Sequence, residues 1–186
     1  MGISWTTVED AIHDAIAPID GLDATSLRWA RFNVLRPVER PFAVLDIIAI
    51  RTFGIDWLDV EDAAIPAPGA EIEHKQRGSR IITLNVQAFG EETGTNRAES
   101  ILERIAASIR LPTPQGTLQT GGVGFLSAGP IAAINGPTDR ANRIEPRASI
   151  DFQLSIPSEV VETGTYIEFV QAENVATGDT FVIPST

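Results

Sequence analysis

The stretch that decides the fold is Asn142–Ile156, which reads NRIEPRASIDFQLSI. From Ala148 onward it alternates strictly between apolar and polar residues. The apolar positions are Ala148, Ile150, Phe152, Leu154 and Ile156, and the polar positions are Ser149, Asp151, Gln153 and Ser155. A period of two residues predicts a β-strand with one buried face and one face toward water. Because Asp151 is the one charge on the wet face, that face suits contact with another protein or with a passing polyanion.

Further strands are predicted on both sides of this one. Phe42–Ile50 is apolar at nearly every position, which favours a central strand covered on both faces. The other predicted strands are 27–35, the pair 70–75 and 80–89 joined through Arg77-Gly78, irregular strands within the Gly-rich segment 115–137, and a closing hairpin of 165–170 with 180–183.

Two helices are predicted, over residues 6–17 and 96–110. In the first, Thr6 and Glu9 have the spacing of a capping box, and apolar residues recur at helical intervals. The second has a long apolar stripe and is expected to end at Pro112 and Pro114. The sequence therefore predicts an α+β fold: a single domain over 1–186, with a mainly antiparallel or mixed β-sheet flanked by two α-helices and a C-terminal β-hairpin.

The bulk composition narrows the class of protein. The 186 residues are 43% hydrophobic, which is too apolar for disorder, and the formal charge of −11 argues against tight binding to DNA or to an anionic membrane. The chain has no cysteine, so disulfides and thiolate chemistry are excluded. It shows neither a signal-peptide pattern nor an apolar run long enough for a membrane helix, so we expect a soluble protein made in the cytoplasm.

Motifs for catalysis, cofactors or metals are not found. His13 and His74 have no histidine or cysteine at ligand spacing, Gly121-Gly122-Val123-Gly124 lacks the Lys-Ser or Lys-Thr of a phosphate loop, and Ser127 misses the spacing of a nucleophile elbow. We therefore predict no enzymatic activity, no cofactor and no metal site.

Two segments are candidates for a subunit interface. Segment 52–69 is predicted to be a long loop in which Phe53, Trp57 and Leu58 stand among acidic residues. The aromatic residues either anchor a protein contact or fold back into the core, and the acids either face water or hold a hard cation. The second segment leads into the 148–156 strand, and its charged residues form either an ion-pair network with a neighbouring subunit or a simple surface network: Arg140, Arg143, Glu145 and Arg147.

The order of these features resembles the neck or tail terminator proteins of tailed bacteriophages. The resemblance is clearest over 28–156. It rests on Trp29, Arg36-Pro37, the run RPFAVLDI from Arg40 to Ile47, the run LNVQAFG from Leu84 to Gly90, the helix Ala98–Leu111, and the run EPRASIDF from Glu145 to Phe152.

This resemblance implies a structural virion protein of the tail and neck, assembled in the host cytoplasm. Its subunits would form a homo-oligomeric, hexameric ring that stops growth of the tail tube and joins the tube to the head connector. DNA would pass through the lumen without specific binding, and no membrane would be involved. The alternatives are another tail component, of the tube or baseplate, or a small-molecule binding module.

Overall fold

The helices and strands are known for the greater part of the chain, since the computed structural model describes residues 3–18, 26–31, 40–60, 71–91, 94–134, 146–165, 169–173 and 180–184. The helices in these ranges are α1 Trp5–Ile16, α2 Ala98–Ser108 and α3 Pro112–Thr120. The strands are β1 Leu27–Trp29, β2 Phe42–Val60, β3 Glu71–Phe89, β4 Gly124–Ala128, β5 Ala132–Ile134, β6 Arg147–Thr165, β7 Phe169–Glu173 and β8 Thr180–Pro184.

The chain divides into two compact units. The larger unit comprises residues 3–55 and 78–158, and the smaller unit comprises residues 1–2, 56–77 and 159–186. Strands β2, β3 and β6 contribute residues to both units. The assignment of residues 1–186 to a single domain stays a prediction.

A mixed sheet organises the larger unit. Its strand order is β1-β2-β3-β6-β4, and β5 also pairs with β6. β1 runs parallel to β2, whereas β4 and β5 run antiparallel to β6. The Phe42 ring at the start of β2 stacks on the Phe89 ring at the end of β3, so the start of one strand lies beside the end of the other. The sequence-based prediction of an α+β fold with a mainly antiparallel or mixed sheet is confirmed.

The core lies on one face of this sheet, where α1 and α2 cover it. The predicted apolar face of β6 is confirmed, because Ala148, Ile150, Phe152, Leu154 and Ile156 are all buried. Alternate residues of β3, from Ile82 to Ala88, join them, together with apolar residues of α1 and α2. Each helix has one apolar stripe, and it buries that stripe against the apolar face of the sheet.

The helices differ from the prediction in two respects. The helices predicted over 6–17 and 96–110 are present as α1 and α2, but the capping box is wrong, because α1 is capped at Ser4 without a side-chain hydrogen bond. α2 ends at Ser108, before Pro112 as predicted, but Pro112 itself begins α3, a third helix that was not predicted. Proline is favoured in the first helical turn, where its missing N–H would have no partner within the helix.

Three strands are longer than predicted. β6 was predicted over 148–156 and runs from Arg147 to Thr165. β2 continues to Val60, so residues 52–60 are strand and not loop, and β3 runs unbroken through Arg77-Gly78, where a turn was expected. The expectation that Phe42–Ile50 is covered on both faces is also wrong, since Ile48 and Ile50 are both more than half exposed. The C-terminal hairpin is present as antiparallel β7 and β8.

Gly90 directly follows β3, and the backbone atoms around it leave no room for a side chain. A Cβ at this position would overlap backbone atoms of Asn96 and Ala98 and would lie 2.7 Å from the Arg97 carbonyl carbon. We expect Gly90→Ala to lower the free energy of unfolding by about 3 kcal/mol, at the upper end of overpacking costs, because backbone atoms must move. Urea denaturation measures the difference.

Gly116→Ala is the matched control, because a Cβ on Gly116 in α3 meets nothing within 4 Å. Alanine is the better helix former, so this variant should gain up to about 1 kcal/mol. Wild-type stability in Gly90→Ala would contradict the described packing.

Candidate subunit interface

β2 extends beyond β1, the short strand that pairs with one edge of β2. β1 pairs with β2 only from Ala43 to Leu45, and β2 then continues for many residues. Among the described strands, β2 has no hydrogen-bonded neighbours other than β1 and β3. The covered part of β2 is buried at Ala43 and Leu45. Within the described residues, no strand pairs with the outer edge of β2 beyond Leu45.

This uncovered part of β2 carries large apolar side chains. In the larger unit the exposed fractions are 54% for Ile48, 52% for Ile50, 64% for Phe53 and 89% for Ile55, and we call these four residues the β2 apolar surface. Single exposed apolar residues are common, but several close together on one strand are typical of an interaction site. An open edge bearing such side chains also favours pairing with another chain.

The three apolar residues predicted for an interface are all exposed. Phe53 belongs to the β2 apolar surface, while Trp57 and Leu58 lie in the smaller unit with exposed fractions of 60% and 64%. They therefore do not fold back into the core, which was the alternative left open by the sequence. Their role in subunit contact stays a prediction.

The smaller unit also contains an ion pair across neighbouring strands. The Nε–H of Arg77 on β3 donates to Oε2 of Glu159 on β6 at 2.8 Å. This hydrogen bond, together with the positive charges of Arg77 and Lys75, lowers the pKa of the Glu159 carboxyl below its ordinary value. The pair therefore contributes at neutral pH, and its contribution is lost as the pH falls through the lowered pKa.

Only one of the four charged candidates can be placed. Arg140, Arg143 and Glu145 lie outside the described residues. The guanidinium carbon of Arg147 lies 5.7 Å from the centre of the Phe89 ring, which itself stacks on Phe42 at 4.4 Å. Arg147 thus makes a cation–π contact within its own unit. Its role between subunits stays a prediction.

The face of the sheet opposite α1 and α2 is polar along β3 and β6 in the larger unit. The Asn85 amide donates to the Asp151 carboxylate at 2.6 Å, and the Gln87 amide donates to the Asn85 side-chain oxygen at 2.9 Å. A cavity of about 410 Å³ opens on this face, with Thr83, Ser127 and Gln153 in its lining. The Asp151 carboxylate on this face is therefore hydrogen-bonded by the Asn85 amide.

In the described ranges no cluster of three or more His, Cys, Asp or Glu side chains has the arrangement of a metal site. His13 lies beside Asp14, with 3.3 Å between Nδ1 and Oδ1. No described helix is both long enough and apolar enough to span a membrane.

Sequence reasoning did not identify Ile48, Ile50 and Ile55 as surface residues. Ile48 and Ile50 were assigned to a buried strand, and Ile55 fell within the predicted loop. A signal was nevertheless present, because the apolar run Phe42–Ile50 spans about 30 Å as a strand, whereas a helix of the length of α1 spans about 18 Å. Such a run predicts either a further covering element or an intermolecular contact.

Comparison with known proteins identifies a family. A family model described as "Phage neck terminator protein" matches residues 6–180. The matched range includes all three helices apart from Trp5, as well as strands β1 to β7. No curated protein matches the chain.

Proposed function

The chain belongs to the phage neck terminator protein family, and from this premise we propose that it is one subunit of a closed hexameric ring that ends the tail tube. The family is one of structural proteins and places this protein in the neck of the virion. In the proposed assembly, one side of the ring contacts the tube protein and the other contacts the head connector. Assembly would take place in the host cytoplasm.

The observation that carries this proposal is the β2 apolar surface. A closed ring needs a heterologous contact, in which one patch of each subunit meets a different patch of the next. In a regular strand Ile48 and Ile50 lie on one face and Phe53 and Ile55 on the other, so β2 offers exposed apolar side chains for such a patch on both faces. Trp57 and Leu58 in the smaller unit are further candidates for contact with a neighbour, because large apolar residues supply much of the energy of protein interfaces.

The charge of the chain supports passage of DNA through the lumen. A formal charge of −11 disfavours the counterion release that drives binding to phosphates. The polar face of β3 and β6 carries Asp151 among uncharged amides and hydroxyls. We propose that DNA passes such a subunit without being held.

The proposal is tested by removing predicted anchors. We expect Trp57→Ala, and separately Arg143→Glu, to weaken ring formation by at least 10-fold, because each is predicted to remove a contact with the neighbouring subunit. The subunit should stay folded in Trp57→Ala, since Trp57 is 60% exposed. Sedimentation velocity over a concentration series measures assembly, and far-ultraviolet circular dichroism reports folding.

Matched controls are Leu126→Ala, which truncates an exposed leucine on β4, and Arg97→Glu, which reverses an exposed arginine at the start of α2. Both should assemble as the wild type does. If Trp57→Ala and Arg143→Glu also assemble normally, these residues are not at the interface.

A further inference from the structure

A cavity of about 490 Å³ lies among the three helices of the larger unit. The end of α1, the second half of α2 and the start of α3 surround it. Its lining is Asp14, Ala15, Pro18, Arg104, Ser108, Leu111, Thr113, Pro114 and Thr117. None of these residues belongs to the β2 apolar surface, so the cavity is a separate feature of the fold.

Arg104 gives this cavity its chemistry. Its Nε and Nη2 atoms have almost no accessible surface, so in this structure they lie in the wall and do not open into the cavity. Neither nitrogen has a hydrogen-bond acceptor within the part of the chain that the structure describes. These two nitrogens lie on the same edge of the guanidinium, so their N–H bonds are parallel and match the two oxygens of a carboxylate. A buried charged donor without an acceptor is unfavourable, so binding of a carboxylate would be correspondingly favoured.

Asp14, the acidic residue of the lining, does not pair with the Nε–Nη2 edge of Arg104. Asp14 contacts the His13 ring at 3.3 Å, its side chain is 69% exposed, and no ion pair joins it to Arg104 among the described residues. Asp14 therefore faces water at the rim, where its charge is screened.

The remaining lining indicates what the carboxylate is attached to. Ala15, Leu111 and Pro114 supply apolar surface, and Leu111 is more than half exposed beside the opening. Ser108, Thr113 and Thr117 add hydroxyls, although Thr117 already donates to the Thr113 carbonyl at 3.2 Å. An apolar wall with one basic group, one acidic group at the rim and a few hydroxyls is typical of a site for a small amphipathic ligand.

We infer that this cavity binds a carboxylate carried on a short apolar group, as at a protein chain terminus or on an acidic side chain. On binding, the Arg104 side chain turns its Nε–Nη2 edge toward the ligand, and the two N–H groups donate to the two carboxylate oxygens. The inference does not depend on ring assembly and can be tested on the subunit alone.

The test follows the Arg104 Nε–H signal by nuclear magnetic resonance of ¹⁵N-labelled protein. N-acetyl-leucine represents a chain terminus, the α-amide of N-acetyl-glutamate represents an acidic side chain, and N-acetyl-leucinamide is the uncharged control. We expect one or both acids to shift the Arg104 signal saturably at millimolar concentration, and the amide to leave it unchanged. The acid that binds more tightly identifies the source of the carboxylate.

Arg104→Lys keeps the charge but loses the paired donors, so affinity for the acid should fall by at least 10-fold. Arg97→Lys changes an exposed arginine elsewhere on the unit and should bind as the wild type does. The inference is overturned if neither acid shifts the signal, if the amide shifts it equally, or if Arg104→Lys retains wild-type affinity. The first two results are read on the wild type and do not depend on any variant folding.

Discussion

Ring assembly should be lost when Ile50 and Ile55 are both replaced by aspartate. These residues are 52% and 89% exposed in the larger unit, so neither contributes much to the core of the subunit. In a ring they would be buried against the neighbour, where an unpaired carboxylate is strongly unfavourable. At about 2 kcal/mol for each residue, the contact between neighbouring subunits would weaken roughly 10³-fold. Sedimentation velocity at a concentration where the wild type is fully assembled should then show a single species of subunit mass.

Two further variants separate assembly from folding. Aspartate is unfavourable in strands, so the double variant can lose up to about 1 kcal/mol of stability without any effect on a contact. Threonine at both positions keeps the β-branched shape and removes apolar area, so it should weaken assembly less while leaving the strand intact. Leu126→Asp places the same charge on an exposed residue of β4 and should assemble normally. Rings formed by the Ile50→Asp, Ile55→Asp variant at wild-type concentration would exclude the β2 apolar surface as the interface.

The largest effect on stability is expected from Phe152→Ala. Phe152 is fully buried on β6, and its ring lies 6.2 Å from the Phe125 ring in a tilted arrangement. Removing it leaves a cavity in the centre of the sheet's covered face, which costs about 3–5 kcal/mol. That is a large part of the 5–15 kcal/mol that stabilises a typical protein. Urea denaturation of the dilute subunit gives the free energy of unfolding.

Phe53→Ala is the matched comparison, because it makes the same substitution at a phenylalanine that is 64% exposed. Its free energy of unfolding should stay within about 0.5 kcal/mol of the wild type. Both variants should be compared at a concentration where no ring forms, since assembly stabilises the folded state. If Phe152→Ala and Phe53→Ala lower the free energy of unfolding by the same amount, the assignment of buried and exposed faces is wrong.

Sequence periodicity identified the elements that form the core. The alternation from Ala148 to Ile156 reported the covered face of β6 because burial on one side of a strand imposes a period of two. The helical stripe around Ile101 and Ile105 reported α2 for the analogous reason, with a period of 3.6. These patterns are reliable where one element is half buried, since each side chain then has only one favourable environment.

The pattern was misleading where that condition fails. Beyond Ile50 no described helix covers β2, so its side chains follow no inside–outside alternation, and Gly54 adopts a φ of 76°, which only glycine tolerates readily. That stretch therefore looked like a loop. Pro112 was misread because proline excludes a helix interior but suits a helix start. The Arg104 cavity was invisible, because Asp14, Arg104 and Thr113 are brought together only by the packing of three helices.

The closed ring is tested most directly by native mass spectrometry of the purified protein over a concentration series, with negative-stain images of any large species. We expect a species of six times the 20.0 kDa subunit mass, and particles with a central hole. A dimer or tetramer that persists at every concentration, with no hole in the images, would contradict the ring.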